Sequence, residues 1–392
     1  MSHAESSQQS AANRVEPISP VARAANALTA RWCSSLGGED SALSAAGVWP
    51  LLALLASAAD EPAGTELAAA LGRPVDSAQR DALELVDILR MSTSATAALG
   101  IWASEGIPLY EAWTSGLPAG MVGRLTDQAA LDRWAADETG GLIDHFPLDI
   151  SEDTALLLAS ALAARVRWRD PFEGYPRHGG FGDSPPDKQW LRRTTSDLSA
   201  VAVLDDRVTR VVVEGEGDVD VHVMLGDRSP AEVLAVGLRE LSGEARVQAA
   251  TELDGGATGL DVRREKSTVP EDIVQLDIPS FEIRASHDLL AHRALFGLNS
   301  VTEADTHLPL LSPIPLFVSG GAQDVLARFF AEGFEAAAVT AFAVAAGAAP
   351  HRPEFDVTVV DVTFDRPFGF LAVHRPSRLA VVAGWVSCPF IL

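Results

Sequence analysis

The sequence predicts an α+β fold in which helices come first and large, mostly antiparallel sheets follow. Three observations predict it. Apolar residues recur at helical spacing through most of the chain up to Gly141. From Thr154 onward the chain turns to apolar and alternating runs that are typical of strands. Hydrophobic residues make up 47% of the 392 residues, which is enough for a large core.

The first half contains five segments with helical patterns. The first runs from Arg23 to Leu36, and the glycines that follow it end the helix. The second runs from about Val48 to Ala59, with Ser44 or a neighbour as its cap. The remaining predicted helices are Thr65–Leu71, Ser77–Met91 and one that opens at Thr126-Asp127 and stops at Gly140-Gly141.

The second half is predicted to be mostly strand. Ala155–Trp168 is apolar and then alternating, and its length fits either a helix or a central strand buried on both faces. Val208–Leu225 carries two alternating runs around an acidic turn, which is a hairpin pattern. His287–Phe296 is predicted to return to helix. Further strands are predicted at Ile273–Ile283, Val357–Phe364, Phe368–Val373 and Leu379–Val386.

Composition indicates one domain without a membrane segment. We predict that the polar residues 1–20 form a disordered tail and that residues 21–392 form a single domain. The tail lacks the basic start and apolar core of a secretory signal, and no apolar run is long enough to span a membrane. We therefore predict a cytoplasmic protein, with an extracellular location left open. Cys33 and Cys388 have no metal-binding spacing and are interpreted as buried free thiols.

Charge and motifs exclude several classes of function. A net charge of −24 argues against nucleic acid or an anionic membrane as a partner. The sequence has no Gly-x-Ser-x-Gly, His-Glu-x-x-His, Cys-x-x-Cys or phosphate-loop pattern, so no catalytic residue, cofactor or metal site is predicted. Calcium at the acidic hairpin is a minor alternative, because the EF-hand spacing is absent and a solvated turn explains the acids. The alternating carboxylates there are Glu214, Glu216, Asp218 and Asp220.

An alanine-rich stretch lies between Pro315 and Pro350, a segment that contains no other proline. Alanine is the best helix former, so propensity alone favours a helix here. Every residue can also be extended, and no proline would remove a hydrogen bond from a sheet. One face of such a strand suits burial against a core, and it carries Phe334, Ala336, Ala338, Thr340, Phe342 and Val344.

This stretch resembles the hinge of the reactive-centre loop in the serpin family. The resemblance covers roughly residues 21–392 and implies the serpin fold, with about nine helices, three β-sheets and an exposed loop at about 333–356. We expect a bacterial-type member. Seven other segments match the family in the right order: Asn26–Leu28, Ser41–Ser44, Trp134–Ile143, Leu158–Phe172, Ile278–Phe281, Asp365–Phe370 and Gly384–Val386.

The resemblance implies a monomeric suicide-substrate inhibitor of serine proteases rather than an enzyme. A protease cuts the loop, and the freed loop inserts into the main sheet as a new strand and carries the protease with it. The hinge of that loop is assigned to Gly333, Phe334, Glu335, Ala336, Ala337, Ala338, Val339 and Thr340. Control of sheet opening is assigned to Ser41, Ser44, Ser160, Trp168 and Gln323.

The scissile bond is predicted from the hinge. Counting the family's usual fourteen residues onward from Gly333 leads to the bond between Gly347 and Ala348. The small side chains around that bond suit an elastase-like or subtilisin-like protease. Arg352 is the rival position and would attract a trypsin-like protease, but Pro353 follows it and disfavours cleavage.

Among the residues that depart from the family pattern, three bear on opening of the sheet and on insertion of the loop. Ser160 stands where an asparagine is usual and Gln323 where many members have a histidine, although the two can still hydrogen-bond. Phe334 stands where relatives that trap proteases have threonine or serine. This last departure keeps a second hypothesis open, in which the protein is a non-inhibitory binding protein with the same fold and a loop that inserts poorly.

Overall fold

The structure is a computed structural model of the chain. It describes residues 18–141, 144–146, 148, 150, 154–175, 189–253, 256–303, 308–334 and 355–387. Within these ranges no helix is both long and apolar enough to cross a membrane.

The five helices predicted in the first half are all present, with bounds shifted by a few residues. Three of them start at a side-chain cap, since the side chains of Ser19, Ser44 and Asp127 each accept a hydrogen bond from a backbone N–H in the first turn. The described ranges contain eight α-helices: α1 Pro20–Cys33, α2 Ala45–Ala58, α3 Ala63–Leu71, α4 Ala78–Met91, α5 Glu111–Thr114, α6 Gln128–Thr139, α7 Pro230–Leu241 and α8 Arg293–Phe296.

The described strands follow the predicted order and add several short ones. They are β1 Ser41–Leu43, β2 Ala95–Ser104, β3 Val122–Leu125, β4 Leu156–Ala164, β5 Val166–Arg167, β6 Glu173–Tyr175, β7 Trp190–Thr195, β8 Val201–Leu204, β9 Val208–Val213, β10 Val219–Leu225, β11 Val247–Ala249, β12 Leu260–Ser267, β13 Ile273–Pro279, β14 Phe281–Asp288, β15 Val318–Phe329, β16 Gly333–Phe334, β17 Phe355–Thr363, β18 Phe368–His374 and β19 Leu379–Val386.

Three sheets organise these strands. The main sheet has the order β3-β2-β4-β15-β16-β5, and β14 also pairs with β15. The second sheet has the order β1-β19-β18-β10-β9-β8-β11, and the third has the order β12-β17-β13-β7-β6. Helix α2 is almost wholly buried and contacts both the main sheet and β19 of the second sheet. Helix α6 packs on the other face of the main sheet.

The segment from Ala155 to Trp168, which the sequence left open between helix and strand, is strand. β4 lies between β2 and β15, and nearly all of its described side chains are buried on both faces of the sheet. A strand covered on both faces has no polar side, so it shows no alternation and looks like a buried helix.

Two predicted elements are wrong in part. Ile273–Ile283 is two strands in different sheets, because Ser280 bonds to Gln189 through both its N–H and its hydroxyl and turns the chain out of β13. His287–Phe296 is not one helix, since β14 continues to Asp288 along β15 and only the last four residues are α-helical.

Strand β12 is absent from the predicted strands, and its composition explains why. The segment reads Leu-Asp-Val-Arg-Arg-Glu-Lys-Ser, and most of its side chains are at least partly exposed. Charged residues are common on strands at the edge of a sheet, where they discourage pairing with other chains. Among the described strands, β12 lies at the edge of the third sheet and pairs with β17.

The acidic hairpin is held by hydrogen bonds and an ion pair. The carboxylate of Asp220 accepts from the Nε and Nη2 of Arg375, at 2.7 and 2.6 Å. The carboxylate of Asp218 accepts from the Ser92 hydroxyl and from the Thr93 N–H. Among the described residues, no group of three or more His, Cys, Asp or Glu side chains is placed to hold a metal ion.

His222 makes the stability of the fold sensitive to acid. It lies on β10 beneath α7 with 8% of its surface exposed, and its Nδ1 has no hydrogen-bond partner. Burial, helped by the positive charge of Arg210, lowers the pKa of His222 to about 3. The unfolded chain therefore binds this proton more readily, and the folded state should lose stability as pH falls below about 6.5, down to about 3.

Replacing His222→Gln is expected to flatten this acid-dependent loss, as measured by urea unfolding between pH 7 and pH 4. The comparison is His145→Gln, because the His145 side chain is 64% exposed and its Nδ1 lies 3.0 Å from the Asp132 carboxylate. This variant should not flatten the decline. An equally steep decline in the His222→Gln variant would show that other groups cause it.

Candidate functional site

The main sheet is split at one end, and the chain re-enters it there. β4 and β15 pair directly over eight residue pairs. Beyond those pairs β5 continues the line of β4, and the two-residue strand β16 lies between β5 and β15. Phe334 pairs with Phe329 on one side and with Val166 on the other, and Gly333 pairs with Arg167. The split therefore lies where one additional strand would fit, and the two residues of β16 form the start of that strand.

Gly333 is the residue that lets the chain enter this narrow place. A Cβ atom added to Gly333 would lie 2.2 Å from the backbone oxygen of Val166 and 3.3 Å from the Cα of Arg167. Both neighbours are backbone atoms of a sheet strand, so neither can move aside at low cost. Glycine is required here because of the close backbone approach.

Phe334 is completely buried in the split. Its exposed fraction is 0%, and its ring centroid lies 6.0 Å from that of Phe370 in the second sheet. The paired residue Phe329 stacks on Phe281, with ring centroids 5.4 Å apart. The bulky side chain that departs from the threonine or serine pattern is thus accommodated in the core.

Trp168 fixes the turn that joins β15 to β16. Its indole Nε1–H donates to the Phe330 oxygen at 2.9 Å, and its backbone N–H donates to the Glu332 oxygen at 3.0 Å. Its ring centroid lies 4.9 Å from that of Phe329. The Phe172 N–H adds a bond to the Ala331 oxygen at 2.7 Å. The entry point of the hinge is therefore held by both backbone and side-chain contacts.

A buried polar network joins β4 and β15 farther down the sheet. The side-chain oxygen of Gln323 accepts from the Ser44 N–H at 2.9 Å. The Gln323 amide nitrogen donates to the Ser44 oxygen at 2.8 Å and to the Ser160 hydroxyl at 3.3 Å. All three side chains are at most 1% exposed. Separating β4 from β15 must break the contact between Gln323 and Ser160.

The N-terminus of α2 lies directly against this network. Ser44 caps α2, and its hydroxyl donates to the Val381 oxygen at 2.6 Å. A Cβ on Gly47 would lie 2.4 Å from the Ser160 hydroxyl oxygen, so only glycine lets the helix approach so closely. The second sheet, α2 and the main sheet are thus connected at the place where Gln323 on β15 meets Ser160 on β4.

Comparison with known proteins gives the same fold and a family match over part of the chain. The sequence profile described as "Serpin (serine protease inhibitor)" matches residues 253–389. A protein of Cyanea capillata described as "Serine protease inhibitor" is 20% identical over 262 residues, which is 66% of this chain. The alignment spans 64% of that relative, which is less than two thirds of its length.

Solved structures match over nearly the whole chain. The thermophilic serpin Tengpin in its native state gives a TM-score of 0.71 at 16% identity, covering 97% of this chain and 96% of that one. Serpin48 of the insect Tenebrio molitor gives 0.63 at 15% identity, covering 93% and 97%. Thyroxine-binding globulin in complex with thyroxine gives 0.69 at 15% identity, covering 95% and 99%. The chain has the serpin fold, and its residues 253–389 match the serpin family.

The serpin fold predicted from the sequence is confirmed, with its helices and three sheets. Of the residues assigned to sheet opening, Ser44, Ser160 and Gln323 lie in one network, and Trp168 lies at the hinge. Ser41 lies apart from them, on β1 and paired with Trp385. The family description names protease inhibition rather than catalysis.

Part of the predicted loop lies outside the described residues. Gly333 and Phe334 are described, but the other hinge residues and both residues of the predicted scissile bond are not. These are Glu335, Ala336, Ala337, Ala338, Val339, Thr340, Gly347 and Ala348. Cys33 is a buried free thiol as predicted, and burial raises its pKa to about 12, whereas Cys388 is outside the described residues.

Two arginines flank the split and were not singled out from the sequence. Arg328 on β15 donates to Glu282 at 3.1 Å. Arg165, between β4 and β5, donates to the Gly140 oxygen at the end of α6 at 3.1 Å. Their relation to the hinge depends on the register of three strands that are distant in sequence. No local pattern in the sequence carries that information.

Proposed function

We propose that this protein is a serpin and a suicide-substrate inhibitor of serine proteases of the elastase-like or subtilisin-like kind, acting as a monomer in the cytoplasm. The proposed mechanism is insertion of the cut loop between β4 and β15. The observation that carries the proposal is strand β16, because two hinge residues are already hydrogen-bonded in the position of the additional strand. The family description, which names protease inhibition, supports the same function.

The register of β16 predicts where the rest of the hinge would go. Antiparallel pairing of Phe334 with Phe329 and with Val166, continued residue by residue, brings Thr340 opposite Gln323 on β15 and opposite Ser160 on β4. Gln323 and Ser160 already face each other in the uncut sheet. A threonine hydroxyl both donates and accepts, so Thr340 could replace the hydrogen bond that its own insertion breaks.

Glu335 is the one acidic residue of the inserting segment, and the same register would place it beside residues of opposite charge. Glu335 would lie opposite Arg328 on one side and opposite Arg165 on the other. Opposite charges on neighbouring strands stabilise a sheet by roughly 0.2–1 kcal/mol per pair. Insertion would therefore not leave this carboxylate without a partner.

The driving free energy must come from residues beyond Phe334. That ring is fully buried before cleavage, so its burial contributes equally to both states. Ordering the loop costs about as much free energy as its new hydrogen bonds contribute. Burial of Phe342 and Val344 would add roughly 1.5–3 kcal/mol each. These two side chains therefore supply the surplus, together with any strain released in the uncut sheet.

The test is incubation with elastase, subtilisin and trypsin separately. We expect a covalent complex, stable in SDS, with elastase or subtilisin, and a C-terminal fragment whose mass shows that it begins at Ala348. The small residues around the bond suit the shallow pockets of those proteases. A complex formed only with trypsin, with a fragment that begins at Pro353, would instead assign the scissile bond to Arg352.

A second candidate function is a non-inhibitory binding protein with the serpin fold. It is favoured by the full burial of Phe334, which anchors the hinge and could stop the loop from moving further. Under this hypothesis the proteases cut the loop, form no covalent complex and leave the melting temperature unchanged. Absence of a complex together with stabilisation on cleavage would instead show insertion without trapping.

A further inference from the structure

Two neighbouring arginines on β7 contact the two ends of the segment from Phe172 to Tyr175. The Cζ atom of Arg192 lies 4.4 Å from the ring centroid of Tyr175, and that of Arg193 lies 5.1 Å from the ring centroid of Phe172. A cation within about 6 Å of an aromatic ring centre is attracted by the face of the ring. Successive side chains of a strand point to opposite faces, so the two arginines reach their rings on different faces of the third sheet.

The two arginines differ in their other contacts. The Arg192 side chain is 41% exposed, and its Nε and Nη2 donate to the Asp277 carboxylate at 2.7 and 2.8 Å. Arg193 is only 7% exposed, and no carboxylate of the described residues forms an ion pair with it. Its Nη2 donates to the Val212 oxygen at 3.4 Å, and its Nε has no hydrogen-bond partner within the described part of the chain. Arg193 is thus a buried cation whose nearest aromatic contact is Phe172.

The stability of the fold alone does not account for an arginine at this position. Burial lowers the pKa of Arg193, which means that its charged form is disfavoured there. The charges of Asp170, Glu214 and Asp197 oppose this shift from outside ion-pair distance. Replacement of a buried charge by an apolar side chain of similar volume is often neutral or stabilising. An arginine at this position is therefore better explained by what it holds than by its own burial.

Phe172, which Arg193 holds, is part of the entry to the hinge. Its backbone N–H donates to the Ala331 oxygen at 2.7 Å, inside the turn between β15 and β16. Its ring centroid lies 5.4 Å from that of Phe329 and 6.1 Å from that of Trp168. Phe329 in turn pairs with Phe334 of the hinge. A displacement of Phe172 would therefore disturb both the turn and the first pair of β16.

We propose that Arg193 is a positioning residue for the hinge. Its guanidinium lies against the ring of Phe172 and keeps that residue where its N–H holds the turn between β15 and β16. The start of β16 is thereby kept in register between β5 and β15. The role in trapping rests on the proposed function, whereas the order of the turn is a property of the uncut protein and is measured separately.

The test begins with Arg193→Met, which keeps the length of the side chain and removes its charge. Three backbone N–H groups close the turn, those of Phe172, Trp168 and Phe330. We expect their hydrogen exchange, followed by NMR, to accelerate about tenfold, as the loss of a desolvated cation–π contact predicts. The midpoint of urea unfolding should stay unchanged or rise, because no buried carboxylate loses its partner.

Arg192→Met is the matched control on the same strand, and we expect it to have the opposite pattern of effects. It removes the same kind of ring contact but also leaves the buried Asp277 carboxylate without its arginine. The midpoint of urea unfolding should therefore fall. Exchange in the turn should accelerate no more than exchange in the core strand β18.

Phe172→Leu completes a double-variant cycle. Leucine keeps the backbone N–H and an apolar side chain but has no ring face. In this background Arg193→Met should add nothing to the exchange rate of the turn, because the contact between the two residues is already lost. With elastase, Arg193→Met alone should give less SDS-stable complex and more cut, uncomplexed protein than the parent.

The possible results separate the proposal from its alternatives. Unchanged exchange of the turn in Arg193→Met overturns it, and so does an effect that adds in full to that of Phe172→Leu. If Arg193→Met fails to fold, or is destabilised as much as Arg192→Met, Arg193 is a general support of the fold and the proposal is wrong. A loosened turn with the parent's yield of complex overturns the role in trapping. If the turn loosens but the parent traps none of the three proteases, the positioning of the hinge stands and the proposed function fails.

Discussion

Phe334→Arg is expected to abolish protease trapping and to destabilise the uncut protein. Phe334 is fully buried between two strands, and no carboxylate is paired with either of its neighbours Phe329 and Val166. Loss of the ring's packing alone costs roughly 3–5 kcal/mol. Burial of an unpaired guanidinium would add to that cost or expel the hinge from the sheet. Urea unfolding and the yield of SDS-stable complex measure the two effects.

Phe355→Arg is the matched control at the other end of the loop. It makes the same chemical change, but Phe355 is 41% exposed. The control should keep the stability and the complex yield of the parent. If Phe334→Arg resembled the control, Phe334 would not be anchored in the split, and the argument from β16 would fail.

Phe334→Thr, which restores the residue usual in relatives that trap proteases, is expected to lower stability without raising the yield of complex. The ring already fits the split, so its removal leaves a cavity and a hydroxyl in the core rather than relieving a clash. The same two measurements apply. A higher yield of complex than the parent's would mean that the ring obstructs insertion after all.

Cleavage of the loop is expected to raise the melting temperature by about 10 °C, because the inserted strand would bury Phe342 and Val344 in a fully paired sheet. Calorimetry of the cut and uncut protein, with both fragments still associated, measures the shift. No shift would favour the non-inhibitory binding protein.

Thr340→Arg provides a control for that shift. In the register of β16 it would place a charge between Ser160 and Gln323, both of which are completely buried. The variant should therefore lose the gain in melting temperature on cleavage. Retention of the full gain would mean that the loop inserts in another register or not at all.

Ser44 and Ala155–Trp168 show where sequence-based prediction of the fold succeeds and fails. A cap such as Ser44 depends on backbone groups two or three residues away, so the local sequence predicts it. Whether Ala155–Trp168 forms a helix or a strand depends on β2 and β15, which pair with its two edges and lie far away in the sequence. The sequence did not predict β12, because its charged residues do not alternate with apolar ones as in a typical strand. The strand that pairs with it, β17, is also distant in the sequence.

Prediction of the candidate site from the sequence has the same limit. Likeness to the family was enough to single out Gly333, Phe334, Ser160 and Gln323. The close approach of Gly333 to the Val166 oxygen, and the burial of Phe334, follow only from the way distant strands meet. A sequence pattern can therefore predict which residues matter, but not that two of them already lie in the sheet.

The two-residue strand β16 also affects how fast the loop can move. Formation of the first residue pairs of an added strand is the slow step, because it must overcome the entropy of bringing distant parts of a chain together. Here those first pairs are already formed, since Phe334 is paired on both sides. The next step only needs Leu326 to part from Ala163, followed by Val325 from Leu162. Residues on β4 and β15 nearest the split should therefore set the speed, and residues later in the loop should set the final stability.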